Sequence, residues 1–320
     1  MNLQELPKPF FVLAPMDDVT DTVFRQIVVD TAKPDLMFTE FVNVDGLQSP
    51  GREHLMHKLK LGDKEKPVVA QLWGLKPENF YKTTKELASI GFSGVDLNMG
   101  CPVKTVTKNG ACAALINNRS LAGEIIDATK EAAGDSLPVS VKTRVGFTTV
   151  DMSWIEFLLD KKILNMLSIH ARTAKQMSKV PPNYDLLGHA VELRNSLSPS
   201  TLIVGNGDIM NRSHGIEVIK KYDLDGAMIG RGILHDPFAF AAASPWEEWS
   251  KKQKLDLFAK HIELFMDTYD KCERRFEPLR KFCKLYINGF EGASELRAEF
   301  MNANSPQESL RLLHDFASPS

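Results

Sequence analysis

The sequence predicts an α/β fold, a (β/α)8 TIM barrel followed by a small C-terminal all-helical domain. First, eight short apolar runs alternate with segments of helical pattern, which is the order of a parallel sheet. Second, these runs are apolar at nearly every position, as is typical of strands buried on both faces. Third, most of the runs end in a polar residue, as at the catalytic face of a barrel.

The runs themselves locate the strands and the face that carries the site. The predicted strands are Phe10–Ala14, Leu36–Phe41, Val68–Leu72, Val95–Asn98, Val139–Thr143, Leu167–His170, Leu202–Gly205 and Gly226–Ile229. Polar residues stand at or just after their ends: Glu40, Gln71, Asn98, Lys142, His170, Asn206 and Arg231. Because these ends converge on one face of a barrel, we expect the active site there. A doubly wound sheet would also gather strand ends, but G-x-G-x-x-G does not follow the first strand.

The pattern changes after about residue 244, where strands no longer occur. Helices are predicted at Trp246–Tyr269, Pro278–Asn288 and Pro306–Phe316, and within the barrel at Pro77–Ile90, which has proline at its start. The chain of 320 residues exceeds a barrel of about 250. We therefore place a barrel domain at residues 1–243 and a helical domain at residues 244–320.

Composition excludes several classes of protein. Hydrophobic residues make up 43% and charged residues 25%, as in ordinary soluble proteins. No apolar run approaches the roughly 18 residues of a membrane span, and the N-terminus lacks the basic region of a secretory signal. The four cysteines show no C-x-x-C spacing, so we expect no metal site, no disulfide framework and a cytoplasmic location.

Net charge near −2 argues against a strongly basic nucleic-acid binder. One local exception lies in residues 271–284, where Glu273 and Glu277 oppose a basic cluster: Lys271, Arg274, Arg275, Arg280, Lys281 and Lys284. On composition alone, we interpret this cluster as a solvated helix face.

Glycine motifs follow the last two predicted strands, where barrels usually bind phosphate. Gly205-Asn206-Gly207-Asp208 follows the seventh strand, and Gly230-Arg231-Gly232 follows the eighth. Glycines let backbone N–H groups approach phosphate oxygens, and Arg231 can add a bidentate contact. Two motifs at the expected positions favour a bound phosphate, such as that of a flavin mononucleotide, over two ordinary turns.

The fourth strand ends in Asn98-Met99-Gly100-Cys101-Pro102. Cys101 lies in a Gly/Pro turn at the catalytic face, so we expect its thiol to be reachable. Spacing does not choose among a nucleophile, a proton donor and an inert turn residue. Cys112 lies in an alanine-rich stretch, and we interpret it as a packing residue.

These motifs together resemble those of the tRNA-dihydrouridine synthases. The run 94–102, followed by Lys104 and Gly110, is similar to the signature of that family. The resemblance extends over nearly the whole chain, through Ala14-Pro15-Met16, Thr20-Asp21, Phe24-Arg25, Thr39-Glu40, Val141-Lys142, Arg144, His170-Ala171-Arg172-Thr173, Asn206-Gly207-Asp208, Ile229-Gly230-Arg231-Gly232, Leu279-Arg280-Lys281 and residues 289–297.

The resemblance implies reduction of a uridine in the tRNA D-loop to 5,6-dihydrouridine, with FMN as cofactor and NADPH as reductant. Hydride would pass from reduced FMN to C6 of the base, and Cys101 would give a proton to C5. The uridine would leave its stack to reach the flavin. The implied partners are tRNA and NADPH, and we expect a monomer with no membrane association and no obligatory protein partner.

The resemblance also assigns roles to individual residues. Cofactor-binding roles fall on Pro15, Met16, Asp17, Gln71, Lys142, His170, Asn206, Gly207, Asp208, Gly230 and Arg231. A positive Lys142 near the ring would stabilise the anionic reduced flavin. Substrate-binding roles fall on Glu40, Asn98, Arg144, Arg172, Arg280 and Lys281, so the basic cluster becomes a candidate tRNA contact. Two departures from the family are the loop at residues 174–182, which lacks its usual aromatic and glycine residues, and Cys112, where glycine is common.

Two other functions compete with this interpretation. An FMN barrel oxidoreductase acting on a small molecule such as a free pyrimidine, like a dihydroorotate dehydrogenase, would share the phosphate site and a reactive thiol. It would need neither the helical domain nor the basic cluster. An RNA-binding module without catalysis would have no need for Cys101, Lys142 and His170.

Overall fold

Eight parallel strands close into a barrel. The structure, a computed structural model, describes residues 2–270 and 273–317. The strands are β1 (Phe10–Leu13), β2 (Leu36–Asn43), β3 (Val68–Trp73), β4 (Gly94–Met99), β5 (Val139–Arg144), β6 (Met166–His170), β7 (Leu202–Asn206) and β8 (Gly226–Ile229). Each pairs with the next, and β8 pairs with β1 from Phe10↔Gly226 to Leu13↔Ile229. The predicted barrel is confirmed. The first and last residues of each predicted strand differ from those of the observed strand by at most two positions.

Helices cover the outside of the barrel. They are α1 (Thr22–Ala32), α2 (Val44–Leu47), α3 (Glu53–Met56), α4 (Pro77–Ile90), α5 (Lys104–Thr107), α6 (Arg119–Ala133), α7 (Met152–Asp160), α8 (Asp185–Leu197) and α9 (Arg212–Tyr222). The connection from β2 to β3 contains only short turns of helix. Among the described residues, no helix is both long and apolar enough to cross a membrane.

The barrel interior is apolar at one end and polar at the other. Alternate residues of the strands point inward. At the N-terminal end these form a separate buried apolar cluster that includes Phe10, Leu36, Phe38, Met166 and Leu202. Further along the same inward rows come the polar residues Gln71, Asn98, Lys142, His170 and Asn206. The apolar layers fill the barrel, and the polar layer above them forms the floor of the candidate site.

In the described part of the chain after the barrel, four α-helices follow: α10 (Lys251–Thr268), α11 (Cys283–Tyr286), α12 (Ala293–Asn302) and α13 (Pro306–Ala317). The first begins at residue 251 because Ser250 and Gln253 form a reciprocal capping box. The predicted helix at 278–288 is a 3-10 turn, Glu277–Phe282, continued by α11. The sequence interpretation missed α12, which begins after Gly292 in the left-handed region at φ 79°.

The C-terminal helices pack directly on α1. The ring of Phe24 lies 4.7 Å from that of Phe282 and 5.7 Å from that of His261, centroid to centroid. Lys260 Nζ lies 2.7 Å from Asp30 Oδ2. Apolar residues of α10, α12 and α13 belong to the same buried cluster as the outer wall of the barrel. The predicted domain boundary between residues 243 and 244 stays a prediction. The described C-terminal helices share one buried core with the outer wall of the barrel.

One buried ion pair fixes the start of α1 against the β2–β3 connection. Arg25 Nε donates to Glu65 Oε2 at 2.5 Å, and neither side chain is exposed. The other carboxylate oxygen of Glu65 accepts from Thr22 Oγ1 at 2.5 Å. Arg25 also donates to the carbonyl oxygens of Thr20 and Lys60. Every charged group here therefore has a partner, as burial requires.

We expect Glu65→Ala to lower the free energy of unfolding by about 3–5 kcal/mol, because it leaves the Arg25 guanidinium buried without its carboxylate. Chemical denaturation measures the change. Asp256→Ala is the matched control, since Asp256 pairs with Lys252 on the exposed face of α10 and should contribute about 0–1 kcal/mol. Equal losses in the two variants would show that the buried pair is not a major constraint.

Candidate active site

A cavity of about 290 Å³ opens at the C-terminal ends of the strands. It is lined by Ala14, Pro15, Met16, Pro102, Lys142, Arg144, His170, Met177, Ser178, Asn206, Gly207, Asp208, Ile209, Met210, Gly230, Arg231 and Gly232. Of the residues predicted to bind a cofactor, all but Asp17 and Gln71 line this cavity. The structure thus brings them together, while their contacts with a cofactor stay predictions.

Glycines shape the end of the cavity beside β7 and β8. Gly207 has φ 124°, and a Cβ there would lie 3.2 Å from Pro182 Cβ and 3.4 Å from His170 Cδ2. A Cβ at Gly232 would lie 2.1 Å from the carbonyl oxygen of Met210, so no other residue fits. These contacts are with protein atoms, so the glycines allow the loops around β7 and β8 to pack closely at this end of the cavity.

Arginines flank the same end. The carboxylate of Asp208 pairs with Arg172 through one oxygen and with Arg231 through the other. Arg172 is 2% exposed and also donates to the carbonyl oxygen of Val180 at 2.6 Å. Arg231, with 58% of its side chain exposed, is the arginine that a phosphate could reach. Arg172 does not line the cavity, and its substrate contact stays a prediction.

The cavity carries an excess of positive charge. Lys142 Nζ donates to Asn206 Oδ1 at 3.1 Å. Burial, and then the neighbouring Arg144, lower the pKa of Lys142 to about 8. Burial also lowers the pKa of His170 far below neutrality, together with four cations around it: Arg144, Lys142, Arg172 and Arg231. A neutral imidazole beside several cations favours an anionic ligand in this space.

A chain of hydrogen bonds runs across the polar layer to Cys101. Ser140 Oγ donates to Asp96 Oδ1 at 2.6 Å, and Gln71 Nε2 donates to Asp96 Oδ2 at 2.7 Å. Asn98 Nδ2 then donates to Gln71 Oε1 at 3.0 Å. Asn98 Oδ1 accepts from the backbone N–H of Cys101 at 2.9 Å. Asn98 and Gln71, predicted to contact ligands, thus also hold the cysteine loop in place.

Sequence reasoning did not single out Asp96. Burial raises the pKa of its carboxyl to about 6, against the hydrogen bonds from Ser140 and Gln71. The sequence did offer a signal that could have identified Asp96. It lies two residues before Asn98 in β4, so both side chains point to the same face of the strand.

Cys101 lines a second cavity of about 260 Å³, while its neighbour Pro102 lines the first. The second cavity is lined by Asp17, Phe41, Asn43, Leu55, Lys58, Trp73, Cys101, Val103, Thr105 and Val106. The thiol is half-buried, as expected for a reachable group. Burial raises its pKa, so it is protonated at neutral pH. Of the roles that the sequence left open, this state suits a proton donor rather than a thiolate nucleophile.

Arg144 braces the same loop from the other side. Its Nε donates to the carbonyl oxygen of Gly100 at 2.8 Å, and its Nη1 donates to that of Thr173 at 3.1 Å. The guanidinium lines the first cavity while it joins the cysteine loop to the connection after β6. Arg144 therefore lines the first cavity, and its substrate contact stays a prediction.

Glu40 lies in a buried ionic cluster instead of a cavity wall. Arg274 Nη1 donates to Glu40 Oε2 at 2.8 Å, and Arg274 Nε lies 3.2 Å from Asp21 Oδ2. The backbone N–H of Asp18 donates to Glu40 Oε1 at 2.7 Å. The substrate contact predicted for Glu40 stays a prediction, and its observed partner comes from the C-terminal part of the chain.

The basic cluster at 271–284 divides in the structure. Arg274 is buried, and Arg280 donates to the carbonyl oxygen of Ala303 at 2.6 Å. Lys281 is half-exposed, and its ammonium group pairs with Asp18, in the loop after β1, at 2.9 Å. Arg275 and Lys284 are exposed, and Lys271 lies outside the described residues. Lys281 is thus the member that joins this surface to the loop after β1.

Comparison with known proteins identifies the family. A family model described as dihydrouridine synthase matches residues 12–319. A probable tRNA-dihydrouridine synthase of Staphylococcus aureus (strain COL) is 48% identical over 316 residues, which are 98% of this chain and 94% of that protein. This chain belongs to the dihydrouridine synthase family. A probable tRNA-dihydrouridine synthase 2 of Bacillus subtilis (strain 168) is 47% identical over 317 residues, 98% of this chain and 95% of that protein.

Membership confirms the resemblance stated from the sequence and the enzyme class, a flavin-dependent oxidoreductase. Solved structures agree on the fold of this dihydrouridine synthase family member. Morphinone reductase in complex with tetrahydroNAD superposes with a TM-score of 0.51 at 13% identity, covering 75% of this chain and 87% of that one. An old yellow enzyme homologue from Zymomonas mobilis gives 0.50 at 13% identity, covering 74% and 90%.

We expect Lys142→Met to raise the melting temperature of the cofactor-free enzyme by a few degrees and to weaken flavin binding. The folded protein holds the cation at a pKa of about 8, against an ordinary value of 10.5. Its destabilising effect is therefore complete below pH 8 and fades as pH rises towards 10.5. Each kcal/mol corresponds to about 2–4 °C in a chain of comparable size.

Calorimetry from pH 7 to pH 10.5 measures this difference, which should shrink across that range. Lys220→Met, on the exposed end of α9, is the matched control and should give no gain at any pH. A gain for Lys142→Met that did not change with pH would contradict the charge as its cause.

Proposed function

We propose that this enzyme reduces a uridine in the D-loop of tRNA to 5,6-dihydrouridine, with FMN as cofactor and NADPH as the reductant. The observation that carries the proposal is a protonated thiol, Cys101, which the Asn98 hydrogen bonds hold next to Pro102, a residue that lines the cation-rich cavity. The family supplies the reaction class. The chemistry of the cavity supports the choice of cofactor and the roles of its residues.

The residues present fit FMN. The glycine-shaped end with Arg231 suits a single phosphate, and no second phosphate-binding motif follows it in the sequence. Lys142 and His170 lie deeper, where the ring would rest above the polar layer. Bound there, FMN would supply hydride transfer, which no protein side chain provides.

Each polar residue then has a definite task. Lys142 would place a positive charge beside the flavin and so stabilise its anionic reduced form. Neutral His170 can donate one hydrogen bond without adding charge. Arg144 would orient the uracil carbonyls, and Asn98 would hold Cys101 within reach of the base. Cys101 Sγ would deliver its proton to C5 of the uracil as a general acid.

The first assay combines purified enzyme, NADPH and tRNA from cells that lack dihydrouridine, with mass-spectrometric mapping of the product. Gain of the mass of two hydrogen atoms at one D-loop uridine supports the proposal. A yellow protein that oxidises NADPH without changing tRNA would instead favour a small-molecule substrate such as a free pyrimidine.

We expect Cys101→Ala to retain FMN and tRNA affinity while dihydrouridine formation falls by about 10²–10⁴-fold, the range that general acids supply. Single-turnover oxidation of the reduced enzyme by tRNA measures the step. Cys112→Ala is the matched control, because Cys112 is fully buried outside both cavities. Undiminished turnover in Cys101→Ala would refute the role of the thiol.

We expect Lys281→Ala to weaken tRNA binding and to reduce the slope of log affinity against log salt by about one, because it removes one phosphate contact. Arg280→Ala should act differently and lower the melting temperature, since its guanidinium holds the carbonyl of Ala303. Titrations at several salt concentrations test both, with Lys130→Ala at the opposite end of the barrel as control. An unchanged slope for Lys281→Ala would show a solvated face without RNA contact.

A further inference from the structure

The second cavity, which Cys101 lines, has no other role in the steps above. Two of its walls are aromatic: Phe41 comes from the end of β2 and Trp73 from the end of β3. These strands are adjacent: Phe41 pairs with Gln71, and Asn43 pairs with Trp73. Phe41 and Trp73 are therefore separated by only two positions along neighbouring strands. Leu55 and Val106 complete a mostly apolar lining. Trp73 is only partly buried, which leaves part of its ring open to a ligand.

The size of this cavity restricts its occupant. Its volume, about 260 Å³, falls just below the roughly 300–1,000 Å³ of sites that take drug-sized ligands. Such a space suits one planar ring system. A nucleobase meets that description, and aromatic walls bind bases by stacking with little regard to sequence.

Charge at the rim points to the same class of ligand. Thr105 and Val106 line the cavity from α5, and Lys104 and Lys108 are exposed on either side of them. Lys58 lies in the opposite wall, where it pairs with Asp17. Exposed lysines beside an apolar slot are what a nucleotide requires, since its phosphate needs cations and its base needs a stacking surface.

Position ties the cavity to the reaction. Cys101 lines this cavity, while its neighbour Pro102 lines the first. With the flavin in the first cavity, as proposed above, the target uracil would have to meet both the flavin and Cys101 Sγ and would therefore lie between the two cavities. The next nucleotide of the chain is then the one within reach of the second cavity. We propose that the second cavity binds the base of the nucleotide adjacent to the target uridine, stacked on Trp73. This inference rests on the proposed function and adds a second nucleotide to the substrate site.

The test pairs changes in the protein with changes in the RNA. Ligated tRNAs carry an abasic residue on the 5′ or the 3′ side of the target uridine, and equilibrium binding is measured with the FMN-loaded enzyme. For one of the two positions, the abasic tRNA should bind wild type about 5- to 150-fold more weakly, the range for loss of one stacked base. Trp73→Ala should lose a similar factor with intact tRNA.

The decisive result is the combination. Trp73→Ala with the sensitive abasic tRNA should bind no more weakly than either single change, because both remove the same contact. Trp73→Phe should restore most of the affinity, since it keeps an aromatic surface. Tyr81→Ala, which removes a partly buried aromatic from the outer helix α4, is the matched control and should bind intact tRNA like wild type.

Several outcomes would overturn the inference. Additive losses would mean that the base and Trp73 act at separate places. A higher KM for NADPH with unchanged tRNA affinity would assign the cavity to the nicotinamide ring. Wild-type enzyme that reduces uridine yet tolerates both abasic tRNAs would refute this inference alone, whereas enzyme that reduces no uridine in intact tRNA would refute the proposed function.

Discussion

The catalytic geometry depends on the side chain of Asn98, which ties the Cys101 loop to the inside of the barrel. Its oxygen accepts from the N–H groups of Gly100 and Cys101, at 3.2 and 2.9 Å, and its amide donates to Gln71. Gln71 is in turn held by the buried carboxyl of Asp96. In a region closed to water, each of these groups would be costly to leave unpaired, so the network specifies one position for the thiol. The proposed role of Cys101, proton transfer to one carbon atom of the base, would need that restriction.

The positive charge of the first cavity has a related cause, the position of its cations at the ends of the barrel strands. Lys142, Arg144 and Arg231 converge because their strands end at one face, and burial keeps water from screening Lys142 and Arg144, while Arg231 stays exposed. The positive charges in the cavity therefore favour anionic ligands, and burial of Lys142, which lowers its pKa to about 8, destabilises its charged form in the cofactor-free protein. Asp208 neutralises part of the excess by pairing with Arg172 and Arg231.

A second buried cluster links this face to the C-terminal helices. Arg274 lies between Asp21 and Glu40, and these two carboxylates hold its pKa above the ordinary value despite burial. Glu40 also receives the backbone N–H of Asp18, whose carboxylate pairs with Lys281. The loop after β1, which carries Pro15 and Met16, is therefore fixed by the same residues that place Lys281 at the surface. A tRNA bound over Lys281 would be held in a set relation to the cavity.

By itself, the sequence determined those features of the protein that depend on residues close to one another in the chain. Local patterns predict the eight strands, the polar residues at their ends, the glycine motifs and the Gly/Pro turn at Cys101. The structure contains these features because each depends on residues adjacent in sequence. Cys112, which stands where the family commonly has glycine, has φ 53°, in the left-handed region that glycine adopts most readily. Helix α12 was missed because the glycines at 289 and 292 resemble a loop.

Only the tertiary structure decided which charges meet and which stay free. Arg274 and Glu40 are 234 residues apart in the chain, and no pattern in the sequence distinguishes Arg274 from its basic neighbours. The same holds for Arg172, which Asp208 and Val180 bind, and for Asp96, whose partners come from adjacent strands. The protonation state of Cys101 also follows from burial. Pairing and burial are set by closure of the barrel and by packing of the helices on α1, and these bring together residues that the chain keeps far apart.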